Sequence, residues 1–231
     1  MTSKKEKEVK ELLSKAIKNG RQALSEYESK QVVAAAGVPV TREALVHSRQ
    51  EAVDQAVAIG FPVVLKGSSP ELMHKTEMDM VRVNLQGEEN VARAYDEITG
   101  KGIELDGVLI QEMVKGSREF VIGLTRDPQF GPCVMFGLGG IFTEALKDVS
   151  FRVAPLSEND AREMIREIRA TKLLDAFRGE SAVDRDLLVK ALVGVGHLGM
   201  THDDIAEIDI NPLIIQNGKP VAVDAVVILK T

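Results

Sequence analysis

The sequence predicts an α+β protein built as two lobes, and three observations predict it. Helix-like and strand-like segments alternate through the first half, whereas from residue 118 a run of strands comes first and helices follow. The change falls beside a Gly-Ser bend in "QEMVKGSRE", which sets a hinge near residue 112. A length of 231 residues suits one large domain or two small ones. The expected division is an N-terminal helical segment over residues 1–20, a smaller lobe over 21–111 and a larger lobe over 112–231.

Taken in order, Val9, Leu12, Leu13 and Ile17 recur at helical spacing in a segment that stops at Gly20. Ser25 with Glu28 reads as a capping box, and the helix it opens stops at Gly37. "VPVTREALV" reads as a strand. Ser48 with Glu51 is a second capping box, for a helix closing at Gly60. "FPVVLK" is the apolar run of a buried strand, followed by strand "MVRVNL", helix "EENVARAYDEIT" and strand "GVLIQEMV". Beyond the hinge, "REFVIGLTRD", "PCVMFGLGG" and "FRVAPL" are strands. Ser157 before Asp160 then opens one helix, and a second covers residues 184–199. The chain closes on "AEIDINPLIIQ" and "KPVAVDAVVIL", joined by Asn217-Gly218, the strongest short hairpin signal.

Composition narrows the function classes. An apolar fraction of 44% with evenly spread charge belongs to soluble globular proteins. A net charge of -6 disfavours nucleic acid as a partner, although a single phosphate needs only local positive groups. The one cysteine, Cys133, has no partner for an internal disulfide, fits a reducing compartment and reads as a small buried residue. No apolar run approaches the roughly 20 residues of a membrane span, and "MTSKKEKEVK" lacks a signal peptide's apolar core, so the expected setting is cytoplasmic, without a membrane.

The C-terminal hairpin carries the most specific geometry. Glu207, Asp209 and Asn211 alternate with Ile208 and Ile210, so three oxygen-bearing side chains share one strand face. If Asn217-Gly218 is a two-residue turn, Gln216 pairs with Lys219, and counting back places Asn211 opposite Asp224. An amide oxygen and a carboxylate then converge, as a magnesium ion prefers when water and phosphate complete its shell. The bland reading is a solvated edge. Against it, Asp and Asn interrupt strands otherwise rich in Ile and Val, where β propensity disfavours them.

Other signals are open to two readings each. No Walker loop is present. "GLGG" at 137–140 fits a phosphate cradle or a tight turn, and Lys66 fits a phosphate partner or a solvated strand end. His74 lies in "SSPELMHKTEMDMV" with Lys75 beside it and Glu71 and Glu77 on either side. That stretch suits a reactive imidazole or an ordinary loop residue. His47, His197 and His202 read as ordinary, the last in a polar turn.

In combination these segments resemble a family. "GFPVVLKGSSPELMHKTE", "LIQEMVKGSREFVIGLTRDPQFGPCVMFGLGGIFTEALKD", "FRVAPL" and "EIDINPL", in this order, resemble the β subunit of ADP-forming acyl-CoA synthetases (acetate–CoA ligase, ADP-forming). That is an ATP-grasp family related to the succinyl-CoA synthetase β subunit, and the resemblance runs from about residue 20 to the end. It implies an ATP-grasp fold, two α+β lobes with a nucleotide cleft between them. It implies ADP/ATP and Mg2+ as cofactors, with Lys66 on the phosphates, the backbone at Glu112, Met113 and Val114 on adenine, and Glu119 on ribose. Asn211 and Asp224 match the family's magnesium ligands, and His74 a transiently phosphorylated histidine on a mobile loop. Glu71, Glu77 or Asp209 would orient that imidazole. The implied partner is a CoA-binding α subunit in an α2β2 heterotetramer. One departure stands out, since Asp79 and Met80 occupy positions where many relatives have small residues, which puts loop mobility in question.

Two other classes need the same nucleotide residues without His74: a nucleotide-sensing regulatory module, and another ATP-grasp ligase that activates its carboxylate directly. A phosphohistidine separates them from the relay enzyme.

Overall fold

A computed structural model describes residues 3–69, 78–140, 147–176 and 179–230. The elements of the first half are α1 (Ser3–Lys18), α2 (Glu26–Ala35), β1 (Glu43–Val46), α3 (Arg49–Ile59), β2 (Val63–Ser68), β3 (Val81–Leu85), α4 (Glu88–Thr99) and β4 (Gly107–Glu112). The second half has β5 (Glu119–Asp127), β6 (Gly131–Leu138), β7 (Val149–Val153), α5 (Glu158–Glu167), a 3-10 turn (Arg169–Leu174), α6 (Arg185–Thr201), β8 (Ile205–Gln216), β9 (Lys219–Ala222) and β10 (Val226–Leu229). They form two units.

The smaller unit comprises Ser25–Tyr27 and Thr41–Met113. Its antiparallel sheet runs β1-β4-β2-β3, with α3 and α4 on one face. Val63 and Leu65 of β2 join Val108 and Ile110 of β4 and the helical Ala52, Ala56, Val91 and Ile98 in one core. Alternation turns Val64, Lys66 and Ser68 to the other face, and these are buried as well. Helix α3 starts where its capping signal predicts, with the Glu51 amide donating to Ser48 Oγ at 3.2 Å. The Glu51 carboxylate accepts from the amide of His47 rather than from that of Ser48.

The larger unit holds Met1–Leu24, Glu28–Val40 and Val114–Thr231. Its antiparallel sheet has the order β10-β8-β5-β6-β7, with β9 also on β8. Phe120, Ile122 and Leu124 of β5, Val134 and Phe136 of β6, and Ile208 and Ile210 of β8 face the helices in one core, where the Phe120 and Phe136 rings stack at 5.6 Å. The opposite face therefore carries Gly123, Cys133, Met135, Asp209 and Asn211. Cys133 is half-buried on that face, not in the core.

The first forty residues depart from the expected division. Both α1 and α2 bury Val9, Leu13, Ala16, Val32 and Val33 in the larger unit's core. Two such Val or Leu side chains contribute roughly 3–6 kcal/mol, against a few tenths from the exposed Lys4–Glu8 and Lys7–Glu11 pairs. Packing decides where α1 belongs, and Ile17 is left exposed. The segment also covers a sheet edge, since the Leu24 amide donates to Val227 O at 2.9 Å and that of Leu229 to Gln22 O at 2.8 Å. "VPVTREALV" yields only β1, because Val40 instead bridges Ala222 of the larger unit. The unit boundary falls between Met113 and Val114.

Arg118 is consumed by this architecture. Its guanidinium bonds Glu180 and the carbonyls of Leu173, Asp175 and Ser181, satisfying three backbone acceptors. His202 is not in a solvated turn. It is buried, its Nε2 has no hydrogen-bond partner among the described residues, and desolvation holds its pKa below the usual histidine value. A depressed histidine pKa favours the folded state above the unfolded pKa of about 6.5, and that stability is lost as pH falls through the folded value. The Tm is therefore expected to fall between pH 7 and pH 5 by more in the native chain than in His202→Leu. Equal falls in the two chains would assign the acid sensitivity elsewhere.

Candidate functional site

The face of the larger sheet turned away from its helices gathers several of the expected residues. Asn217 and Gly218 both have positive φ, 51° and 81°, as a type I′ hairpin turn requires. Gln216 pairs with Lys219 and Leu213 with Ala222, and beyond a break Asp209 pairs with Val226 in the same register. The predicted long strand is thus two, β9 and β10, with residues 223–225 outside the ladder. Pro212 has no N–H to continue the ladder, and its carbonyl accepts from the Val223 amide at 3.0 Å. Counted from either side of the break, Asn211 is level with Asp224.

A glycine joins this strand to Glu119. The Gly140 amide donates to Asn211 Oδ1 at 3.3 Å, and the Gly139 amide to the Glu119 carbonyl at 2.9 Å. Gly140 has φ +66°, and a Cβ there would collide with the Glu119 carboxylate. The first two residues of "GLGG" therefore end β6, and its last glycine lies against both Glu119 and Asn211. Sequence reading quoted it without giving Gly140 this part.

Electrostatics favour a cation on this face. Burial, and then the charges of Glu207 and Asp224, push the Asp209 carboxyl up to about 6. Among the described residues no group of three or more His, Cys, Asp or Glu could hold a metal ion. Two protein oxygens, from Asn211 and Asp224, match the sparse hard-oxygen ligation of magnesium better than an all-protein cage.

The smaller unit places Lys66 in an unexpected way. Its ammonium is buried and lies 2.7 Å from the equally buried Glu26 carboxylate, so it is not a solvated strand end. Removing one partner of a buried pair costs about 3–5 kcal/mol, which makes substitution of Lys66 a poor probe of ligand binding. Glu112 is engaged too. Its carboxylate takes the Arg42 amide at 2.8 Å and guanidinium at 2.9 Å, and its amide donates to Arg42 O. The Met113 amide donates to Pro62 O at 3.1 Å. That leaves the Val114 N–H as this segment's donor without an acceptor among the described residues.

His74, Glu71 and Glu77 lie outside the described residues. The segment's C-terminal side is anchored by the departure noted in the sequence. Met80 is fully buried in the smaller unit's core, and its carbonyl accepts from the Gly67 amide at 2.9 Å. The Asp79 carboxylate takes Lys101 at 2.6 Å and Arg82 at 2.9 Å, which hold its pKa below the ordinary value.

Known proteins resemble this chain over most of its length. The ATP-grasp domain family matches residues 15–229. The chain is 42% identical to the Acetate--CoA ligase [ADP-forming] II subunit beta of Pyrococcus furiosus, covering 96% of this chain and 98% of that one. It is 39% identical to the Acetate--CoA ligase [ADP-forming] I of Archaeoglobus fulgidus, over 88% of this chain but only 30% of that longer protein. It also matches a structure of the dinucleotide forming Acetyl-coenzyme A synthetase 1 of Ca. Korarchaeum cryptofilum, in complex with coenzyme A and Mg-AMPPCP and with its phosphohistidine segment pointing towards the nucleotide binding site. That match has a TM-score of 0.87 and 48% identity, and covers 96% of this chain and 100% of the other.

Proposed function

Since this chain belongs to the ATP-grasp family, we propose that it is the nucleotide-binding β subunit of an ADP-forming acyl-CoA synthetase, acting on acetyl-CoA. The overall reaction is acyl-CoA + ADP + phosphate = acid + CoA + ATP. The observation that carries this reading is the corner where Gly140 touches both Asn211 and Glu119, with Asp224 level across the ladder break.

A CoA-binding α subunit would complete the enzyme, as an α2β2 heterotetramer in the cytoplasm. Its support is the Archaeoglobus relative, a single longer chain of which this one matches 30%. No helix among the described residues is long and apolar enough to cross a membrane.

In the mechanism, the partner supplies a phosphoryl group that originates from acyl phosphate. The neutral imidazole of His74 attacks phosphorus, forming an N–P bond as the bond to the donor breaks. A β-phosphate oxygen of ADP then attacks the same phosphorus, and cleavage of the N–P bond gives ATP and restores the imidazole. Magnesium, when bound, supplies charge neutralisation between ADP and the incoming group, and Asn211 and Asp224 would hold it. Lys66 places a positive charge toward the phosphates, with Glu26 fixing its position. The Val114 N–H meets the adenine edge, while Glu119 accepts from the ribose hydroxyls. The protein's work is mostly positioning.

Reconstitution with a CoA-binding partner tests the assignment. ATP is expected from acetyl-CoA, ADP and phosphate only when both subunits are present, and a complete complex that forms none contradicts it. Glu119→Gln replaces a charge-assisted hydrogen bond with a neutral one and is expected to weaken ADP binding about fivefold, with binding of free adenine unchanged. An unaltered ADP affinity in calorimetry would remove Glu119 from the site.

A further inference from the structure

Ser68 ends β2 in the smaller unit. Its side chain is 1% exposed, and its hydroxyl has no hydrogen-bond partner among the described residues. Buried hydroxyls nearly always find one, so an orphan calls for an explanation. The neighbouring strand cannot provide it. Ser68 pairs with Gly107, which has no side chain, and Lys66 pairs with Leu109, which has no polar atom beyond its backbone. The Ser68 carbonyl is already engaged by the Asp106 amide at 2.8 Å. Strand propensity would favour Val here, and an apolar side chain would leave nothing unsatisfied.

The face it occupies identifies the missing partner. Ser68 is two residues from Lys66, so their side chains share one face of β2, at a Cα spacing of about 6.6 Å. The ammonium is buried in an ion pair with the Glu26 carboxylate, so the face sets a desolvated ion pair beside a desolvated hydroxyl donor. An acceptor-only group would satisfy that hydroxyl. We infer that the Ser68 hydroxyl donates to a phosphate oxygen of the bound nucleoside diphosphate, and that Ser68 and Lys66 together hold the phosphate that receives the transferred phosphoryl group. The inference rests on the nucleotide reading above and adds a phosphate contact to it. It explains why a serine occupies a buried strand position at a stability cost to the ligand-free chain.

Three variants test it on the full chain, with the ligand-free Tm and calorimetry of Mg·ADP and adenosine as readouts. Ser68→Ala removes the orphan hydroxyl, so the ligand-free Tm is expected to hold or rise. Mg·ADP binding is expected to weaken about tenfold, the loss of one hydrogen bond to a charged group. Adenosine, which has no phosphate, is expected to bind as before. Ser68→Val should behave like Ser68→Ala, and Ser68→Thr, which keeps the hydroxyl, should retain most of the ADP affinity. Unchanged ADP affinity in Ser68→Ala overturns the inference. A lower ligand-free Tm does so too, because the hydroxyl then serves the fold's own hydrogen bonding. An equal loss for adenosine and ADP, or for Ser68→Thr and Ser68→Ala, points to packing and also overturns it. A native chain that binds no Mg·ADP at all would sink the nucleotide reading itself, a result distinguishable from failure of Ser68 alone.

Discussion

With His74→Ala in the reconstituted enzyme, ATP formation is expected to fall by at least about 10³-fold, as when an enzyme loses its nucleophile. Mg·ADP binding should be unchanged, because no nucleotide contact is assigned to the imidazole. Phosphorylation of the partner from acyl phosphate should also persist. This pattern separates a relay from a structural histidine. Loss of a structural residue lowers every step together through instability, whereas loss of a relay blocks one transfer and spares those before it. Near-normal ATP formation, measured with luciferase or a coupled assay, would return His74 to the class of ordinary loop residues.

The next largest effect belongs to Asp224→Asn. The substitution keeps the shape and removes the charge level with Asn211, so magnesium-dependent ADP binding is expected to weaken about 10- to 100-fold, at least the loss seen when groups supporting a metal's ligands are altered. Binding of ADP without magnesium should change little. A second readout needs no metal. The Asp224 charge is one of the causes that raise the Asp209 pKa to about 6, so Asp209 should titrate lower in the variant, as NMR would show. If both the Mg·ADP affinity and the Asp209 titration stay as they were, Asp224 does not face this strand.

Local chemistry made much of the fold readable. Helix α4 occupies the quoted segment Glu88–Thr99, and the Ser157–Asp160 capping box forms in both directions. Both follow from interactions within a few residues. The hairpin register was readable because a positive-φ Asn-Gly turn fixes every later pair by counting. What escaped depends on contacts far apart in the chain. Nothing local to Val9, Leu13 or Val32 says which sheet they will cover, so the first forty residues were placed by chain order rather than by core. The burial of His202, the Lys66–Glu26 pair and the Arg42 clamp on Glu112 are long-range in the same way.

The expected site divides along the same line. Asn211 and Asp224 were proposed from strand periodicity and resemblance, and Glu119 from resemblance; the structure adds Gly140 as a residue touching Asn211 and Glu119. Ser68 left no mark in the sequence, since one serine at a strand end is unremarkable until its hydroxyl proves buried and without a partner among the described residues. The sequence departure at Asp79 and Met80 bears on anchoring, because these residues fix the end of the segment that carries His74.

The most direct test of the relay is the chemistry of one bond. The purified chain, incubated with Mg2+ and ATP labelled at the γ-phosphate, is expected to acquire label that is stable to base and labile to acid, as a phosphoramidate is. Peptide mapping under alkaline conditions should place it on His74. A nucleotide sensor would bind ATP and take up no label, and a ligase that activates its carboxylate directly would place the phosphate on its substrate. No label on the chain, or label on any residue other than His74, would contradict the account.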